Sequence, residues 1–528
     1  MNLPSGDTST SHRRSFLILL LASTLPFVRV LVSGHVWDDY LVILSPDLVK
    51  GGWLELFRGI DSGRATETTP YYRPFTLLLF RLERMLYSAS PLGMHLLNLI
   101  LHGVVIFLVH RLGTIIGLGA IGSLGAALFM SVHPLNVESV AFLSGGRNTL
   151  LAACFSLGSL IFHQEGGRQA SPVRVAAAPF LLFLGLLSKE SALMVFPLII
   201  WRELKHGGGA KMIASRVIPW FIPLILWFLL REAALRHAGV SISIVPGLPS
   251  RLAEMIFVIP RYLLNLVAPF WLSPKYFIPE DLNLFALPIL SGWLAVVAMV
   301  FWVVRNGGRA GRFGLILALF FLLPVSGLVP IPSGLIADRY LYLPMVGVSL
   351  AVGGMIERYH SPMVMRSVSV VLLMLAFISF FQTGVWKNDE TLFTRVVERY
   401  PDQAYGYHNL GCYYLDRTKD PERAERMFDE ALRRNPFFPR LQTQKGYVRF
   451  LRGDLDGALN HYTEALIQNP FDGEALVKSG EIFELRGDAA MALSRYDRFL
   501  SLPQSDIPWV RPVIEERVRL LRERVSVR

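Results

Sequence analysis

Long apolar stretches recur along this chain from residue 15 to residue 385 and then stop. A segment of roughly 20 apolar residues crosses the hydrocarbon core of a bilayer as a helix, so these stretches predict membrane spans. Soluble domains carry roughly 25% charged residues, whereas this chain carries 18%. The candidate segments are 15–33, 92–110, 114–132, 149–163, 175–188, 191–203, 214–231, 284–304, 313–330, 339–356 and 367–385. We predict an all-α transmembrane bundle of about eleven spans in residues 1–385.

The basic loops predict the orientation of these spans. Clusters of Arg and Lys at 202–216, 305–312 and 358–366 are expected on the cytoplasmic side. All the basic loops fall on that side only when the segment 251–272 lies in the interface or re-enters instead of crossing. The chain after Trp386 is then outside the cytoplasm. The first apolar run is too long for a cleaved signal peptide, which favours a retained signal anchor.

The tail, residues 386–528, has 23 basic and 23 acidic residues, so the net charge of +11 lies in short loops of the membrane part. That placement indicates topology and not nucleic-acid binding. Three copies of a helical pattern follow at a period of 34 residues, with Ala424, Ala458 and Ala492 at equivalent positions. This period is typical of tetratricopeptide repeats, which stack into a helical solenoid. The segment 508–526 is expected to be a capping helix. The repeats form either a groove for a peptide or a passive spacer.

Two adjacent carboxylates, Asp38 and Asp39, follow the first apolar run. Neighbouring residues of a helix or strand do not face the same way, so both cannot point inward from regular structure. They either end the span, with one side chain solvated, or converge on a turn. On a later segment, His95, Asn98 and His102 share one helix face, and hydrogen bonding between helices is favoured there over a ligand role.

Charged groups recur on the predicted outer side. Charges at such positions are costly unless they are paired or functional. The three cations Arg147, Lys189 and Arg339 suit an anionic headgroup, and nearby carboxylates could act as a base or as metal ligands. Arg73, on a loop before a helix at 74–87 expected to lie in the interface, either snorkels or binds phosphate. The accompanying side chains are His133, Glu138, Glu190 and Asp338.

The order of these motifs resembles a known family. The segments "WDDY", "YYRPFTLLLFRL", "HPLNVESVAFLSGGRNTLLA", "LSKESALMVFPL" and "ADRYLYLP", followed by the repeats, are similar to the transmembrane and tetratricopeptide-repeat O-mannosyltransferases of animals. The resemblance covers nearly the full chain. It implies the GT-C fold of membrane glycosyltransferases, so that residues 1–385 are a GT-C-like catalytic domain and residues 386–528 an extracytoplasmic repeat domain.

The same resemblance implies the chemistry. The donor is a polyprenyl- or dolichyl-phosphate sugar, and the acceptor is a protein or peptide held by the repeats. Asp38 and Asp39 match the catalytic carboxylates of the first outer loop, with a preference for Asp39 as the base. Arg73, Arg147, Lys189 and Arg339 would hold the donor phosphate, supported by His133, Glu138, Glu190 and Asp338. No cofactor is required by the pattern; a divalent metal, where one is used, would bind Asp38 or Asp39.

The chain departs from the animal proteins in having only three repeats and Asp338 where Glu is more usual, so a cadherin-like acceptor is not assumed. It has no Asn-x-Ser/Thr acceptor, which favours a bacterial inner membrane with periplasmic repeats over the endoplasmic reticulum of a eukaryote. The alternative function is a non-enzymatic membrane scaffold whose repeats dock protein partners. A lipid-headgroup transporter is disfavoured because the charged motifs cluster on one side.

Overall fold

The computed structural model describes residues 7–58, 71–165, 172–207, 209–237, 247–279, 283–329, 334–502, 507 and 510–526. The chain divides into two compact units, of which the first comprises residues 1–63 with 68–388 and the second comprises 64–67 with 389–528. Three positions of the predicted segments, residues 330, 508 and 509, lie outside the described residues.

The first unit is helical. Its α-helices are α1 Asp7–Thr24, α2 Asp39–Val42, α3 Asp47–Lys50, α4 Glu55–Arg58, α5 Pro74–Tyr87, α6 Pro91–Ile115, α7 Ala120–Val132, α8 Val137–Ala141, α9 Leu143–Glu165, α10 Pro172–Leu186, α11 Val195–His206, α12 Ala210–Val217, α13 Phe221–His237, α14 Leu248–Val267, α15 Leu287–Asn306, α16 Gly308–Leu322, α17 Tyr342–Tyr359 and α18 Pro362–Thr383. Short 3-10 segments join them at Leu25–Val32, Pro134–Asn136, Glu190–Met194, Ile218–Trp220, Leu323–Val325, Asp338–Leu341 and Gly384–Trp386.

Seven helical stretches among the described residues are long and apolar enough to cross a membrane. They are Arg13–Val32, Pro91–Ile115, Ala210–His237, Leu287–Asn306, Gly308–Val325, Asp338–Tyr359 and Pro362–Trp386. An eighth is added when Ala120–Val132 and Pro134–Ala141, which are bent by 55°, count as one span. The protein is therefore a multi-pass membrane protein, and its predicted all-helical class is confirmed.

The predicted segments that do not pass this test are helical but short or polar. The segment 149–163 lies inside α9, whose first half contains Ser144, Arg147 and Asn148. The segments 175–188 and 191–203 become α10, with 15 residues, and α11, with 12 residues. The stretch predicted to lie in the interface, 251–272, forms the 20-residue helix α14, in which Arg251, Glu254 and Arg261 interrupt the apolar sequence.

Glycines allow neighbouring helices of the first unit to approach closely. A Cβ atom added at Gly314 of α16 would overlap the carbonyl oxygen of Gly347 of α17, and one added at Gly347 would overlap that of Gly314. Such small-residue contacts are the usual means by which transmembrane helices pack without a hydrophobic driving force. They hold the backbones of α16 and α17 in close contact.

The first and last spans also meet. The Thr383 hydroxyl donates to the carbonyl of Pro26 at 3.4 Å, and the Gly34 amide donates to the carbonyl of Lys387 at 2.9 Å. The loop that carries Asp38 and Asp39 is therefore held between the two ends of the membrane part.

The second unit is a stack of helix pairs with the predicted 34-residue period. Its helices are α19 Asp389–Arg399, α20 Ala404–Asp416, α21 Pro421–Arg434, α22 Leu441–Leu451, α23 Leu455–Gln468, α24 Gly473–Leu485, α25 Ala489–Leu500 and α26 Arg511–Ser526. Each second helix begins at an aspartate N-cap, because Asp420, Asp454 and Asp488 accept from the amides three residues on at 2.8 to 3.0 Å.

A glycine and an aromatic ring meet inside each repeat. An added Cβ atom would press into Phe428 from Gly411, into Tyr462 from Gly446 and into Tyr496 from Gly480. The expected capping helix is present as α26, which buries Ile514, Val518 and Leu521 against the last repeat. The turns, the helix pairs and the capping helix of the second unit thus agree with the repeat pattern predicted from the sequence.

Candidate active site

The two adjacent carboxylates have different surroundings. Trp37 has a φ of 53°, a left-handed conformation that is uncommon outside glycine and is concentrated at functional sites. The following turn buries Asp39 completely and leaves Asp38 exposed. The carboxylate of Asp39 accepts from the amide of Val36 at 3.1 Å and from the amide of Ser144 at 2.7 Å. Asp39 therefore joins the first loop to the start of α9, and Asp38 alone of the pair presents its carboxylate at the surface.

The pKa of Asp39 is displaced in the direction that burial predicts. Burial raises it from 3.8 to about 7, against the opposing effect of the two amide donors, and the neighbouring charge of Asp38 adds to the rise. A carboxyl group that is enclosed and bonded in this way serves the geometry of the loop.

An aromatic stack lies directly beside the carboxylates. Trp37 stacks on Phe142 with ring centroids 5.6 Å apart, and Phe142 stacks on Trp386 at 5.4 Å. The guanidinium of Arg339 lies over the same Phe142 ring at 5.7 Å. The three rings thus connect the first loop, the start of α9 and the end of the last span, and the guanidinium of Arg339 lies against the middle ring.

Arg339 is held by a carboxylate on another element. Its guanidinium forms an ion pair with Glu138, and its backbone amide donates to the second oxygen of the same carboxylate at 2.9 Å. The adjacent Asp338 points elsewhere and accepts from Tyr276 at 2.7 Å and from Asn265 at 3.1 Å. Asp338 is a buried tether of the 3-10 segment, whereas Arg339 faces the cluster of charges around Asp38.

Lys189 and Arg73 lie in this cluster too. The ammonium of Lys189 donates to the hydroxyl of Thr149 at 2.7 Å, and Arg73 pairs with Glu190 at 3.1 Å. The pKa of Lys189 falls from 10.5 to about 7, chiefly through burial and then through the positive charges of Arg73 and Arg339. Lys189 is therefore close enough to Arg73 and to Arg339 for their charges to repel its own, and such a concentration of positive charge favours an anion.

Lys275 is a further cation of the cluster that the sequence pattern did not reveal. Asp38, Arg339 and Glu138 all act on its charge, and its pKa is lowered mainly by burial. Its place in "SPKYF", a polar interruption after an apolar segment, was the available signal. Asp38 also acts on the charge of Arg339, so the exposed Asp38 lies near two cations, Lys275 and Arg339.

Arg147, the fourth predicted phosphate ligand, is occupied by the protein. Its guanidinium is fully buried and pairs with Glu83 of α5 at 2.7 Å. It also donates to the side chain of Asn98 and to the carbonyl of Met94 at 2.7 Å, and it lies over the ring of Phe80. We propose that Arg147 clamps α5, α6 and α9 together instead of holding the donor phosphate, because each of its three guanidinium nitrogens bonds the protein. The helix expected to lie in the interface, α5, is anchored by its own buried charges.

The polar side chains on the neighbouring segments are engaged in helix contacts. His133 accepts from the amide of Leu135 at 3.2 Å and bonds the carbonyl of Leu266 at 3.0 Å. His102 bonds the hydroxyl of Tyr342 at 2.7 Å, and Asn98 donates to the carbonyl of Val140 at 3.0 Å. His95, on the same face, is fully buried. Asn98 and His102 fit the interpretation favoured from the spacing, in which these groups bond between helices. Neither ring nitrogen of His95 has a hydrogen-bond partner among the described residues.

The structure therefore brings Asp38, Arg73, Lys189 and Arg339 together with Glu138 and Glu190. It places Asp39, Asp338, His133 and Arg147 in the supporting framework. Among the described residues, no group of three or more His, Cys, Asp or Glu side chains is arranged to hold a metal ion. The arrangement can bind a phosphate-bearing ligand beside one accessible carboxylate.

Comparison with known proteins agrees with the resemblance. The chain is 27% identical over 464 residues to a protein O-mannosyl-transferase of Caenorhabditis elegans, covering 82% of this chain and 65% of that protein. It is 27% identical over 478 residues to a protein O-mannosyl-transferase of Mus musculus, covering 76% of this chain and 64% of that protein. The chain thus spans somewhat less than two thirds of the length of these relatives. Its resemblance to this family of transferases is confirmed.

Two further comparisons concern the fold. Residues 408–472 and 443–506 match the family model described as "Tetratricopeptide repeat", which confirms the predicted repeats. Among solved structures, the apo oligosaccharyltransferase of Archaeoglobus fulgidus covers 81% of this chain and 60% of its own, with 14% identity and a TM-score of 0.40. A TM-score this low does not establish a shared fold.

Proposed function

We propose that this protein is a membrane glycosyltransferase that moves a sugar, mannose in the first instance, from a polyprenyl- or dolichyl-phosphate donor to a hydroxyl group of a protein. The observation that carries the proposal is an exposed carboxylate, Asp38, among the cations Lys275 and Arg339 in a chain similar to protein O-mannosyl-transferases. An accessible base beside a phosphate-binding cluster is what such a transfer requires.

Asp38 is the base in this proposal. Its carboxylate accepts the proton of the acceptor hydroxyl while the hydroxyl oxygen attacks the anomeric carbon. The bond from that carbon to the phosphate oxygen breaks, and the lipid phosphate leaves with the bonding electrons, which inverts the anomeric centre. Asp39 was the preferred base from the sequence, but both its oxygens accept backbone amides and the side chain is enclosed. It is assigned the role of holding Asp38 in place.

The leaving phosphate is held by Arg73, Lys189 and Arg339. Glu190 and Glu138 orient the two arginines through ion pairs, which leaves their positions defined before the donor arrives. Lys189, with its lowered pKa, gains most from an incoming anion, because the phosphate restores the stability of its charged form. A divalent metal, where one takes part, would bind at Asp38.

The remaining assignments extend the same proposal. The repeats, as a helical solenoid, are a surface for a peptide segment of the acceptor. The donor cluster and the repeats act outside the cytoplasm, in the periplasm of a bacterial inner membrane or in the lumen of the endoplasmic reticulum in a eukaryote. Addition of a chelator to the transfer assay tests the metal.

The proposal is tested by separate variants of the two carboxylates. Asp38→Asn is expected to lower the transfer of radiolabelled mannose from polyprenyl-phosphate mannose into membrane proteins by about 100-fold or more, which is the usual weight of a general base. Its unfolding temperature in detergent should be unchanged, since the side chain is exposed. Asp47→Asn, at another exposed carboxylate of the same loop region, is the matched control. Full transfer by Asp38→Asn at normal protein level rejects the base assignment.

The alternative function, a scaffold whose repeats dock partners, is supported by the compactness of the second unit as a separate body. It makes the opposite prediction for the full chain. As a scaffold, the Asp38→Asn protein complements a deletion strain as well as the wild type. As a transferase, it does not complement although it accumulates normally.

A further inference from the structure

A cavity with basic and apolar walls lies at the end of the membrane unit away from the Asp38 cluster. It measures about 640 Å³ and is bounded by the C-terminal end of α6, the end of α9, the last turns of α11 and the first turns of α16. This volume is in the range of small-molecule sites, roughly 300–1,000 Å³. The cavity is therefore large enough for a polar headgroup.

Two helices, α6 and α9, extend from the candidate active site to this cavity, so their length gives the separation of the two sites. The carbonyl of Met94, in the first turn of α6, bonds Arg147, and the last turn of the same 25-residue helix reaches the cavity. At 1.5 Å per residue, α6 is about 37 Å long. Helix α9 runs the same course, from Ser144 beside Asp39 to Gln164 at the cavity wall. The cavity is thus a separate site near the opposite surface of the membrane part.

Its lining is strongly basic. Four cations line it, Arg202, Lys205, Arg309 and Arg312, with no carboxylate among the lining residues. Within the described part of the chain, no carboxylate pairs with Lys205, Arg309 or Arg312. Glu203 acts on the charge of Arg202, but Lys205, Arg309 and Arg312 bring like charges to one cavity, where an anion would offset their repulsion. The lining therefore favours a ligand with a phosphate or similar group.

The rest of the lining is apolar and aromatic. Trp201 and Phe313 approach each other with ring centroids 6.4 Å apart, and the ammonium of Lys205 lies over the Trp201 ring at 5.0 Å. Ile115 and Ile316 complete this wall. A soluble anion would leave these surfaces uncovered, whereas an anion joined to hydrocarbon chains would contact both parts of the lining. Basic pockets between transmembrane helices are a recurrent form of lipid-headgroup site.

We propose that this cavity binds the phosphate group of an anionic membrane lipid. Arg309 and Arg312 of α16 and Lys205 of α11 donate hydrogen bonds to the phosphate, and the Trp201–Phe313 wall contacts the acyl chains. The shared chemistry is a phosphate ester, and the apolar wall selects a lipid over a soluble phosphate. The site is independent of the proposed transfer reaction, since no residue of the Asp38 cluster takes part.

The test uses the purified full chain in a neutral detergent. Its unfolding temperature is followed as dioleoylphosphatidylglycerol is added, with dioleoylphosphatidylcholine and inorganic phosphate as parallel titrations. The variant Arg309→Gln/Arg312→Gln removes two exposed lining cations, and Lys211→Gln/Arg366→Gln removes two exposed cations that do not line the cavity. Native mass spectrometry of the same samples counts the lipids retained per chain.

We expect saturable stabilisation by phosphatidylglycerol and one retained lipid per chain for the wild type and for the Lys211/Arg366 variant. Arg309→Gln/Arg312→Gln should keep the wild-type unfolding temperature without lipid and bind phosphatidylglycerol about tenfold or more weakly. Equal stabilisation by phosphatidylcholine overturns the headgroup assignment, and equal protection by inorganic phosphate overturns the lipid. Unchanged affinity in the Arg309/Arg312 variant overturns the site. If that variant is unstable without lipid, the single variant Lys205→Gln replaces it, with the same expected loss of affinity.

Discussion

The buried contact between Arg147 and Glu83 allows a direct test of whether this arginine holds the framework or a ligand. The Arg147 side chain has no exposed area and Glu83 has 5%. Arg147→Met leaves the Glu83 carboxylate without its cation and also removes the donors to Asn98 and Met94. Breaking a buried ion pair from one side costs about 3–5 kcal/mol. We therefore expect a loss of about 4 kcal/mol in the free energy of unfolding.

The double variant Glu83→Leu/Arg147→Met should recover most of this loss, because replacing both partners of a buried pair by apolar side chains is often close to neutral. The exposed pair of Arg111 and Glu165, whose side chains are 60% and 28% accessible, is the matched control. Arg111→Met should cost less than about 1 kcal/mol. The measurement is unfolding of the reconstituted protein by titration with a denaturing detergent.

One result would refute this reasoning. If Arg147→Met is as stable as the wild type and instead raises the KM for the lipid-phosphate donor strongly, Arg147 holds the donor phosphate, as the sequence pattern first indicated. The double variant would then also bind the donor weakly, because it lacks Arg147, and the Arg147–Glu83 pair would contribute nothing to the stability of the protein.

Three other predictions follow from the same structure. The folded state retains the Asp39 proton up to about pH 7, whereas the unfolded state loses it near pH 3.8, so the free energy of unfolding should fall by roughly 4 kcal/mol as pH rises through this window. Asp39→Asn should flatten the plot of unfolding free energy against pH. A rise of wild-type stability with pH contradicts the prediction. Because the pKa of Lys189 is about 7, the KM for the lipid-phosphate donor should increase above that pH, where the side chain loses its charge. Lys189→Arg should make this KM independent of pH over pH 6–9. A Lys189→Arg protein with the wild-type pH profile counts against Lys189 as a phosphate ligand. Gly446→Ala places a Cβ atom 2.7 Å from the Tyr462 ring and should cost about 1–3 kcal/mol of repeat stability by circular dichroism; a variant as stable as the wild type is the opposing result.

Much of the architecture was predictable because its signals are local. The apolar runs and the 34-residue period each depend on residues close together in the chain, and both appear in the structure as helices with the expected order. Fewer helices pass the length and composition criterion for a span than the eleven predicted segments, because α10 and α11 are short and the first half of α9 is polar. The sequence pattern identifies helices more reliably than it identifies which of them face lipid.

The site was predictable in composition but not in roles. Whether Asp38 or Asp39 is accessible depends on the φ angle of Trp37 and on an amide 105 residues further along, at Ser144. The ion pair that leads us to propose a framework role for Arg147 comes from Glu83, which lies on a helix expected to lie in the interface. Partners that lie so far apart in the chain produce no periodic pattern in the sequence. Residue type thus predicts the chemistry of the cluster, and the packing is the basis on which we propose some side chains as ligands and others as framework.

The aromatic stack of Trp37, Phe142 and Trp386 has a consequence for biosynthesis. Its last ring is translated about 350 residues after its first, and at roughly 5–20 residues per second the first loop waits tens of seconds for it. Throughout that interval the first span precedes the loop and the later spans are still being made, so the turn that presents Asp38 lacks its final support. A quality-control protease that surveys the membrane could therefore distinguish unfinished or truncated chains by this loop, and a stop codon before Trp386 should shorten the lifetime of the product even though most of the spans are present.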